Sequence, residues 1–288
     1  MQSKKAYTIN EHYVPRFYLS NFCIEGNSGI TYSIEATDRY AKIKPHSIES
    51  LCSFNNMYES PVGEDYFWRN KAEEELSIQE QKQERLINKI KGKVSDRSTF
   101  GKSLVLSEDE KDSFFSFIAI MFLRNKSIYT KLYYTALEQI EYFKNTPLDE
   151  AAKAAARQAT NALILPVGYI DNELAGKFHD WFASWIKEMS FIFIYSQKYF
   201  VTSNMPISIL KHKKGDTVEI WFPLTSHVGA AFISNKYPQT NLIVDATEKT
   251  DELNVRMCHS PSLVSSESVQ LICANKETLN LAYNKLYI

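Results

Sequence analysis

The hydrophobic pattern of this chain changes its period near Met189, and this change limits the folds that the chain can adopt. Between about 66 and 188, apolar residues recur at helical spacing among charged ones. After Met189, short runs rich in β-branched and aromatic residues, beginning with Ser190–Tyr195, are typical of strands. Near the start, the alternating runs 30–34 and 40–44 predict a β-hairpin. Because helices and strands are grouped, the pattern predicts an α+β fold: an N-terminal helix and hairpin, a central helical bundle and a C-terminal, mostly antiparallel sheet.

The central region contains a clear start signal for a buried helix. Ser107 and Glu110 have the spacing of a capping box, and an apolar stripe over 114–122 predicts a position deep in the core. Arg124 follows this stripe, where a guanidinium needs a carboxylate, a carbonyl or a bound anion. An internal ion pair or helix-end contact is the favoured interpretation of Arg124. Further helices are expected over 66–91, 150–164 and 171–188.

The C-terminal region predicts strands joined by turns. The run 199–202 is expected to be the hairpin partner of 190–195, and Gly215-Asp216 separates a second pair of runs, 207–210 and 217–222. The pattern is completed by strands near 228–233 and 269–274 and by a last helix from Lys276, capped by Asn275.

Composition and charge restrict the partners of the chain. With 288 residues, of which 44% are apolar, it can bury a sizeable core, but its formal charge of −1 supplies no overall attraction to nucleic acid. No apolar run reaches the roughly 20 residues needed to span a membrane, and the first residues lack the apolar core of a secretory signal. We therefore expect a cytoplasmic protein without a membrane partner.

The sequence also lacks the common cofactor, metal and hydrolase motifs. It has neither glycine-rich phosphate loop, G-x-x-x-x-G-K-[ST] or G-x-G-x-x-G, and neither G-x-S-x-G nor H-E-x-x-H. Its cysteines (Cys23, Cys52, Cys258 and Cys273) form no C-x-x-C pair, and Cys258-His259 is the one adjacent Cys/His pair. Buried free thiols are a better interpretation than a zinc site. We expect no cofactor and no metal.

The segment from His12 to Phe22 concentrates an imidazole, phenols and a guanidinium. Pro15 suits the first turn of a helix, and a helix that starts there would bring His12 and Arg16 to its N-terminal end. That end carries a partial positive charge and unsatisfied N–H groups, which favour anions. The segment therefore predicts a site that faces phosphate or carboxylate.

Several motifs resemble, in the same order, the bacterial domain-of-unknown-function family numbered 4238. The family opens with His-x-Val-Pro-x-x-Tyr-Leu-x-x-Phe, which corresponds here to His12, Val14, Pro15, Tyr18, Leu19 and Phe22. A hairpin over 32–44 followed by Tyr58, a helix over 114–124 that ends in arginine, the segment Phe200–Pro206 and the triplet Pro223-Leu224-Thr225 match further motifs. Because the resemblance covers nearly the whole chain, it implies one integrated domain over 1–288, with a helical middle over about 66–188 and a β-rich part over about 189–275.

The chain departs from the family pattern at Asn204, where the family usually has aspartate. An amide accepts and donates hydrogen bonds but does not act as an ordinary general base. Some relatives accompany mobile elements and phage-defence genes, so the resemblance implies a nucleic-acid substrate and a partner protein encoded nearby.

The first functional hypothesis is a metal-independent hydrolase directed at nucleic acid, such as an RNase-like effector or toxin of phage defence. His12 would act as general acid or base, because its ordinary pKa lies near the working pH. Arg16 and Arg124 would hold phosphate oxygens. Substrate-binding roles are predicted for the remaining residues of the expected pocket, Tyr13, Tyr18, Ser203 and Asn204, with the tyrosines stacking a base or donating a proton.

Two alternatives remain open at this stage. The chain could be a sensor that binds a nucleotide, a peptide or a phage protein in the same pocket without turnover, which suits Asn204 better than catalysis does. Alternatively, His12 and Arg16 could have a purely structural role and hold the N-terminal segment against the turn at 202–206. All three hypotheses require the N-terminal segment to fold back beside that turn.

Overall fold

A computed structural model describes residues 10–55, 71–104, 106–125, 173–211, 217–234, 241–259 and 269–287, without the side chains of 71–75 and 173–179. The strands are β1 (Asn10–His12), β2 (Ile30–Glu35), β3 (Lys44–Ser47), β4 (Ser53–Asn55), β5 (Ser190–Tyr195), β6 (Thr202–Ser203), β7 (Ser208–Lys211), β8 (Val218–Pro223), β9 (Val228–Ile233), β10 (Ile243–Asp245) and β11 (Gln270–Cys273). The α-helices are α1 (Arg16–Ser20), α2 (Lys71–Val94), α3 (Glu108–Leu123), α4 (Glu173–Lys187), α5 (Thr250–His259) and α6 (Lys276–Asn284). The predicted α+β class is confirmed.

The larger sheet has five strands in the order β10-β5-β9-β8-β7. Its pairs are antiparallel except for β10 with β5, which is parallel. Phenylalanines of α3 cover one face of this sheet: the ring of Phe114 lies 5.6 Å from that of Phe193, and the ring of Phe115 lies 5.7 Å from that of Phe191. α5 packs on the opposite face, where Leu253 joins a separate apolar cluster. The main core thus lies between the sheet and the helices of the middle region.

The helix α3 forms as its sequence predicts. The Ser107 side chain accepts a hydrogen bond from Glu110 N, and the Glu110 carboxylate accepts one from Ser107 N, which completes the capping box. Arg124 is the C-cap. The predicted helix over 171–188 is confirmed as α4, and the last helix is confirmed as α6 with its Asn275 cap.

The smaller sheet joins the two ends of the chain. Its order is β3-β2-β11-β6, with antiparallel pairs throughout. The predicted pairing of 199–202 with 190–195 is wrong, because β6 pairs with β11 while β5 lies between β9 and β10.

The N-terminal hairpin is present, but its second strand begins at Lys44 and not at Tyr40. A turn at Asp38 occupies 38–41, where Asp38 accepts hydrogen bonds from the N–H groups of Tyr40 and Ala41.

The N-terminal segment also differs from a simple opening helix. β1 comes first and pairs with β4, an unpredicted strand, and α1 then forms a single turn with Pro15 as its N-cap.

Within the described residues, no helix combines the length and apolar character needed to cross a bilayer. The predicted helix over 150–164 and Tyr58 lie outside the described residues.

The N-terminal segment folds back onto the later turn through Tyr18. The Tyr18 hydroxyl donates to Pro223 O at 2.6 Å and accepts from Thr202 Oγ1 at 2.7 Å. The Tyr18 ring stacks on Phe222 with 5.6 Å between the ring centres. The predicted proximity of the N-terminal segment and the 202–206 turn is therefore confirmed through Tyr18, which bonds Thr202.

Candidate functional site

His12 is half-buried at the end of β1, opposite Ser53 of β4. Its Nε2 lies 3.3 Å from Ile48 O, so a neutral ring carries its proton on Nε2 and donates it to this carbonyl. Burial lowers the pKa of His12 below its ordinary 6.5, and the charges of Arg16 and Arg124 lower it further, against the opposing effect of the Ile48 bond. His12 is therefore mainly a neutral imidazole at pH 7.

Arg16 is the exposed first residue of α1 and lies close enough to lower the pKa of His12. Because α1 has only five residues, few peptide dipoles are aligned at this end. Any attraction for an anion at this point comes mainly from the guanidinium of Arg16 and not from a helix dipole.

Arg124 is 2% exposed and lies between two helices and a strand. Its Nη1 donates to Glu80 Oε1 of α2 at 2.6 Å, and its Nη2 donates to the carbonyl oxygen of His12. The favoured interpretation of Arg124 as an internal ion pair is confirmed. The guanidinium holds the backbone of His12 in place, and its charge also acts on the imidazole.

Sequence reasoning did not identify Glu80 as the partner of Arg124. Glu80 is four residues after Leu76 and seven before Ile87, both buried, so it lies on the apolar face of α2. A carboxylate at this spacing is a signal for an internal ion pair. Glu11, next to His12, is a fully buried carboxylate that was also missed.

Cys52 is adjacent to Ser53, the strand partner of His12, and has a left-handed backbone with φ of 54°. This conformation is costly for a residue with a side chain and is found preferentially near functional sites. The Tyr13 side chain hydrogen-bonds the Cys52 thiol, and Tyr13 N donates to Cys52 O at 3.0 Å. Burial raises the pKa of the thiol to about 12, so Cys52 stays protonated and is not a nucleophile.

The other predicted substrate-binding residues make internal bonds. Burial raises the pKa of Tyr18 well above 10, and its hydroxyl is committed to the two bonds described above. The fully buried Ser203 donates to Met205 O at 2.7 Å and accepts from Met205 N at 3.0 Å, as in a serine turn. Substrate contact through Tyr13, Tyr18 or Ser203 would require these internal bonds to open.

Asn204 is half-buried and continues the pairing of β6 with β11. Its main-chain N–H donates to Gln270 O, and its Oδ1 accepts from Gln270 N, both at 3.0 Å. A carboxylate oxygen accepts the same bond, so the aspartate that is usual in the family can have the same structural role here. Asn204 acts as a side-chain extension of the smaller sheet.

The structure thus brings together His12, Arg16 and Arg124, with Glu80 as an unpredicted fourth member. We call this group the His12 cluster. Tyr18, Ser203 and Asn204 instead lie near the end of the smaller sheet. Ser203 and Asn204 are at β6, and Tyr18 connects α1 to this strand through Thr202. Among the described residues, no three or more His, Cys, Asp or Glu side chains are placed to hold a metal ion together.

The comparisons with known proteins are consistent with the motifs. The sequence model of the family described as "Protein of unknown function (DUF4238)" matches residues 10–277. The chain belongs to this family, as its motifs predicted. No curated protein and no solved structure matches the chain.

Proposed function

We propose that this protein is a cytoplasmic hydrolase directed at nucleic acid, and that the His12 cluster is its catalytic site. The observation that supports the proposal best is a neutral, half-buried imidazole acted on by two guanidinium charges. A neutral imidazole accepts a proton, and adjacent cations stabilise the charge that develops on a phosphodiester in the transition state. An RNase-like effector or toxin in phage defence is the biological role that fits this chemistry and the family context.

Three residues have distinct roles in the proposed reaction. His12 removes the proton from the attacking hydroxyl or water and returns it to the oxygen of the leaving group. The exposed Arg16 contacts a phosphate oxygen. Arg124 is a positioning residue, because it is buried, paired with Glu80 and bonded to the His12 carbonyl. This assignment differs from the expectation that Arg124 itself holds phosphate.

Cleavage of labelled RNA oligonucleotides tests the proposal directly. His12→Ala is expected to lower the rate by about 10²- to 10⁴-fold, the usual contribution of a general acid or base. Arg16→Ala is expected to raise KM and lower kcat. The exposed His259 and Arg97 supply matched controls as His259→Ala and Arg97→Ala, which should retain activity. Full RNA cleavage, or full toxicity in cells, by a folded His12→Ala variant would remove the proposal.

A non-catalytic binding module is the second candidate. It is favoured by the internal bonds of Tyr18, Ser203 and Asn204, which leave few polar groups for chemistry beside the His12 cluster. Such a module would sense a nucleotide, RNA or a partner protein through Arg16 and His12. Calorimetric titration with nucleotides and RNA oligonucleotides, followed by analysis of the recovered ligand, distinguishes the candidates: intact ligand after saturation supports a sensor, and cleaved ligand supports the hydrolase.

A further inference from the structure

Residues 40–46 place alternate side chains on the surface in a single row. Ala41 and Ile43 pack against the apolar cluster that contains Leu279 of α6. The four residues that alternate with them point away from this cluster, because successive side chains of an extended segment point to opposite sides. We call these four residues the 40–46 row: Tyr40, Lys42, Lys44 and His46.

The 40–46 row combines positive charge with an exposed aromatic ring. Together with Arg39 and Asp38, it carries three cations and one carboxylate besides its histidine, whereas the whole chain has a formal charge of −1. The two lysines are exposed, and Tyr40 is 87% exposed, more than any other large hydrophobic side chain among the described residues. An exposed aromatic ring flanked by cations is the combination that binds single-stranded nucleic acid.

The turn that carries Tyr40 is fixed from behind by the C-terminal residues. The hydroxyl of Tyr283 in α6 donates to Asp38 O, and the hydroxyl of Tyr287 donates to Ala36 O. The Asp38 side chain accepts a hydrogen bond from Tyr40 N at 2.9 Å. The ring of Tyr40 therefore projects from an anchored backbone, so little backbone freedom is lost when a base stacks on it.

The row ends beside the His12 cluster. His46 Nδ1 lies 2.7 Å from Ser33 Oγ, which also accepts from Gln270 Nε2 at 3.1 Å, so the imidazole is held on one face of the smaller sheet. Ile48 is two residues further along the chain, and its carbonyl oxygen lies 3.3 Å from His12 Nε2. The backbone that carries the row is thus in direct contact with the proposed catalytic residue.

The N-terminal segment lies on the same side of the smaller sheet as the end of the row. Strand register places Thr31 of β2 directly opposite His46 of β3, so the two side chains share a face. Thr31 Oγ1 donates to the carbonyl oxygen of Phe22, which follows α1. A ligand that follows the row is therefore led towards the segment that contains His12 and Arg16.

We propose that the 40–46 row binds single-stranded RNA and leads it to the His12 cluster, with one base stacked on Tyr40 and neighbouring phosphates on Lys42 and Lys44. Alternate residues of an extended segment are roughly 7 Å apart, a distance suited to neighbouring phosphates of an extended strand. This inference rests on the proposed function, because it defines the substrate of the same site. Duplex RNA binds less tightly, since its bases are paired and stacked on one another.

Fluorescence anisotropy with a short labelled oligouridine measures this binding, in a His12→Ala background so that the RNA stays intact. We expect Tyr40→Ala to weaken binding by about 5- to 100-fold, the usual effect of losing one stacked base. Tyr40→Phe keeps the ring and should bind within about twofold of the background. Trp181→Ala removes an exposed aromatic ring of α4 and should leave binding unchanged. Duplex RNA should bind at least about tenfold more weakly than the single strand.

The salt dependence of binding tests the two lysines. Each phosphate contact with a single strand contributes about 0.7 to the slope of log K against log salt concentration. The double variant Lys42→Ala, Lys44→Ala should therefore make this slope shallower by about 1.4. The matched control Lys91→Ala, Lys93→Ala removes two exposed lysines of α2 with the same spacing and should leave the slope unchanged.

The proposal is overturned if the His12→Ala protein does not bind oligouridine at low salt, or if duplex RNA binds as tightly as the single strand. It is also overturned if Tyr40→Ala and the Lys42, Lys44 double variant bind as tightly as their background. RNA that is bound through the row but never cleaved by the unmodified protein would remove the hydrolase and leave the row as a binding surface. Cleavage that is unaffected by the row variants would remove the row and leave the hydrolase.

Discussion

At the scale of single residues, His12 shows how neighbouring groups set the state of a titratable side chain. Partial burial disfavours the charged imidazole, and two nearby guanidiniums add to this effect. Arg124 is held by Glu80 inside the protein, whereas Arg16 is exposed on α1. The two arginines therefore differ in what their removal does: loss of Arg124 disturbs the structure, and loss of Arg16 mainly changes the electrostatics of His12.

Arg16→Ala is expected to raise the pKa of His12, because one of the charges that disfavour the imidazolium is removed. An NMR titration of the His12 ring protons, assigned with His12→Gln, measures this change. Arg97→Ala removes an exposed arginine that is not among the charges acting on His12, so it should leave the titration unchanged. An unchanged His12 pKa in Arg16→Ala would contradict the proposed arrangement.

The same pKa shift predicts how stability depends on pH. The folded pKa of His12 lies below the 6.5 of the unfolded chain, so the unfolded state takes up a proton first as the pH falls. The contribution of His12 to stability is therefore complete above pH 6.5 and is lost as the pH falls through the folded pKa. Urea titrations should show a shallower loss of stability in this acid range for His12→Gln than for the unmodified chain.

At the scale of elements, the packing of β8 on β9 depends on the absence of a side chain at Gly229. A Cβ at this position would lie 2.1 Å from Cη2 and 2.5 Å from Cζ3 of Trp221. Both contacts are far inside van der Waals distance, and Trp221 is buried against Phe200, whose ring centre lies 5.0 Å away. The sequence shows a glycine within a strand, but only the structure shows that an indole occupies the space above it.

Gly229→Ala is expected to destabilise the protein by about 1–3 kcal/mol, the usual cost of overpacking a well-packed core. Urea unfolding followed by circular dichroism measures the effect. In a Trp221→Phe background, the smaller ring leaves room for the methyl group, so the same substitution should cost much less. Equal costs in both backgrounds would show that the indole is not the obstacle.

At the scale of the whole molecule, the two sheets are connected through residues far apart in the chain. Tyr18 links α1 to the end of β8 and to β6 of the smaller sheet. The single hydroxyl proton of Thr31 of β2 is shared between Phe22 O at 2.6 Å and Cys273 O of β11 at 3.2 Å. Because these bonds join both sheets to the N-terminal segment, we predict that the chain unfolds as one cooperative domain.

Tyr18→Phe tests this connection. It leaves the carbonyl of Pro223 without its buried donor, so a loss of about 1–3 kcal/mol is expected. Tyr195→Phe, at a half-buried tyrosine of β5 whose ring packs on Phe100, is the matched control and should cost less. Fluorescence and circular dichroism should report one coincident urea transition in the unmodified chain. Separate transitions for the helical and β-rich parts would contradict the single domain.

Local sequence was enough to determine the elements whose signals are local. The capping box and apolar stripe located α3, the runs around Gly215-Asp216 located the β7–β8 hairpin, and Asn275 located the start of α6. These elements depend on neighbours within a few positions, so their patterns are visible in the sequence. The motifs of the N-terminal segment also indicated the family.

Only the tertiary structure determined which distant groups meet. It paired β6 with β11 and not with β5, brought Glu80 to Arg124, and directed the hydroxyl of Tyr18 to Pro223. Strand partners and buried ion pairs are chosen by the packing of the whole core, which a run of residues does not encode by itself. For this reason the sequence predicted His12 and the arginines as candidates, and the fold determined that Arg124 pairs with Glu80 and donates a hydrogen bond to the carbonyl of His12.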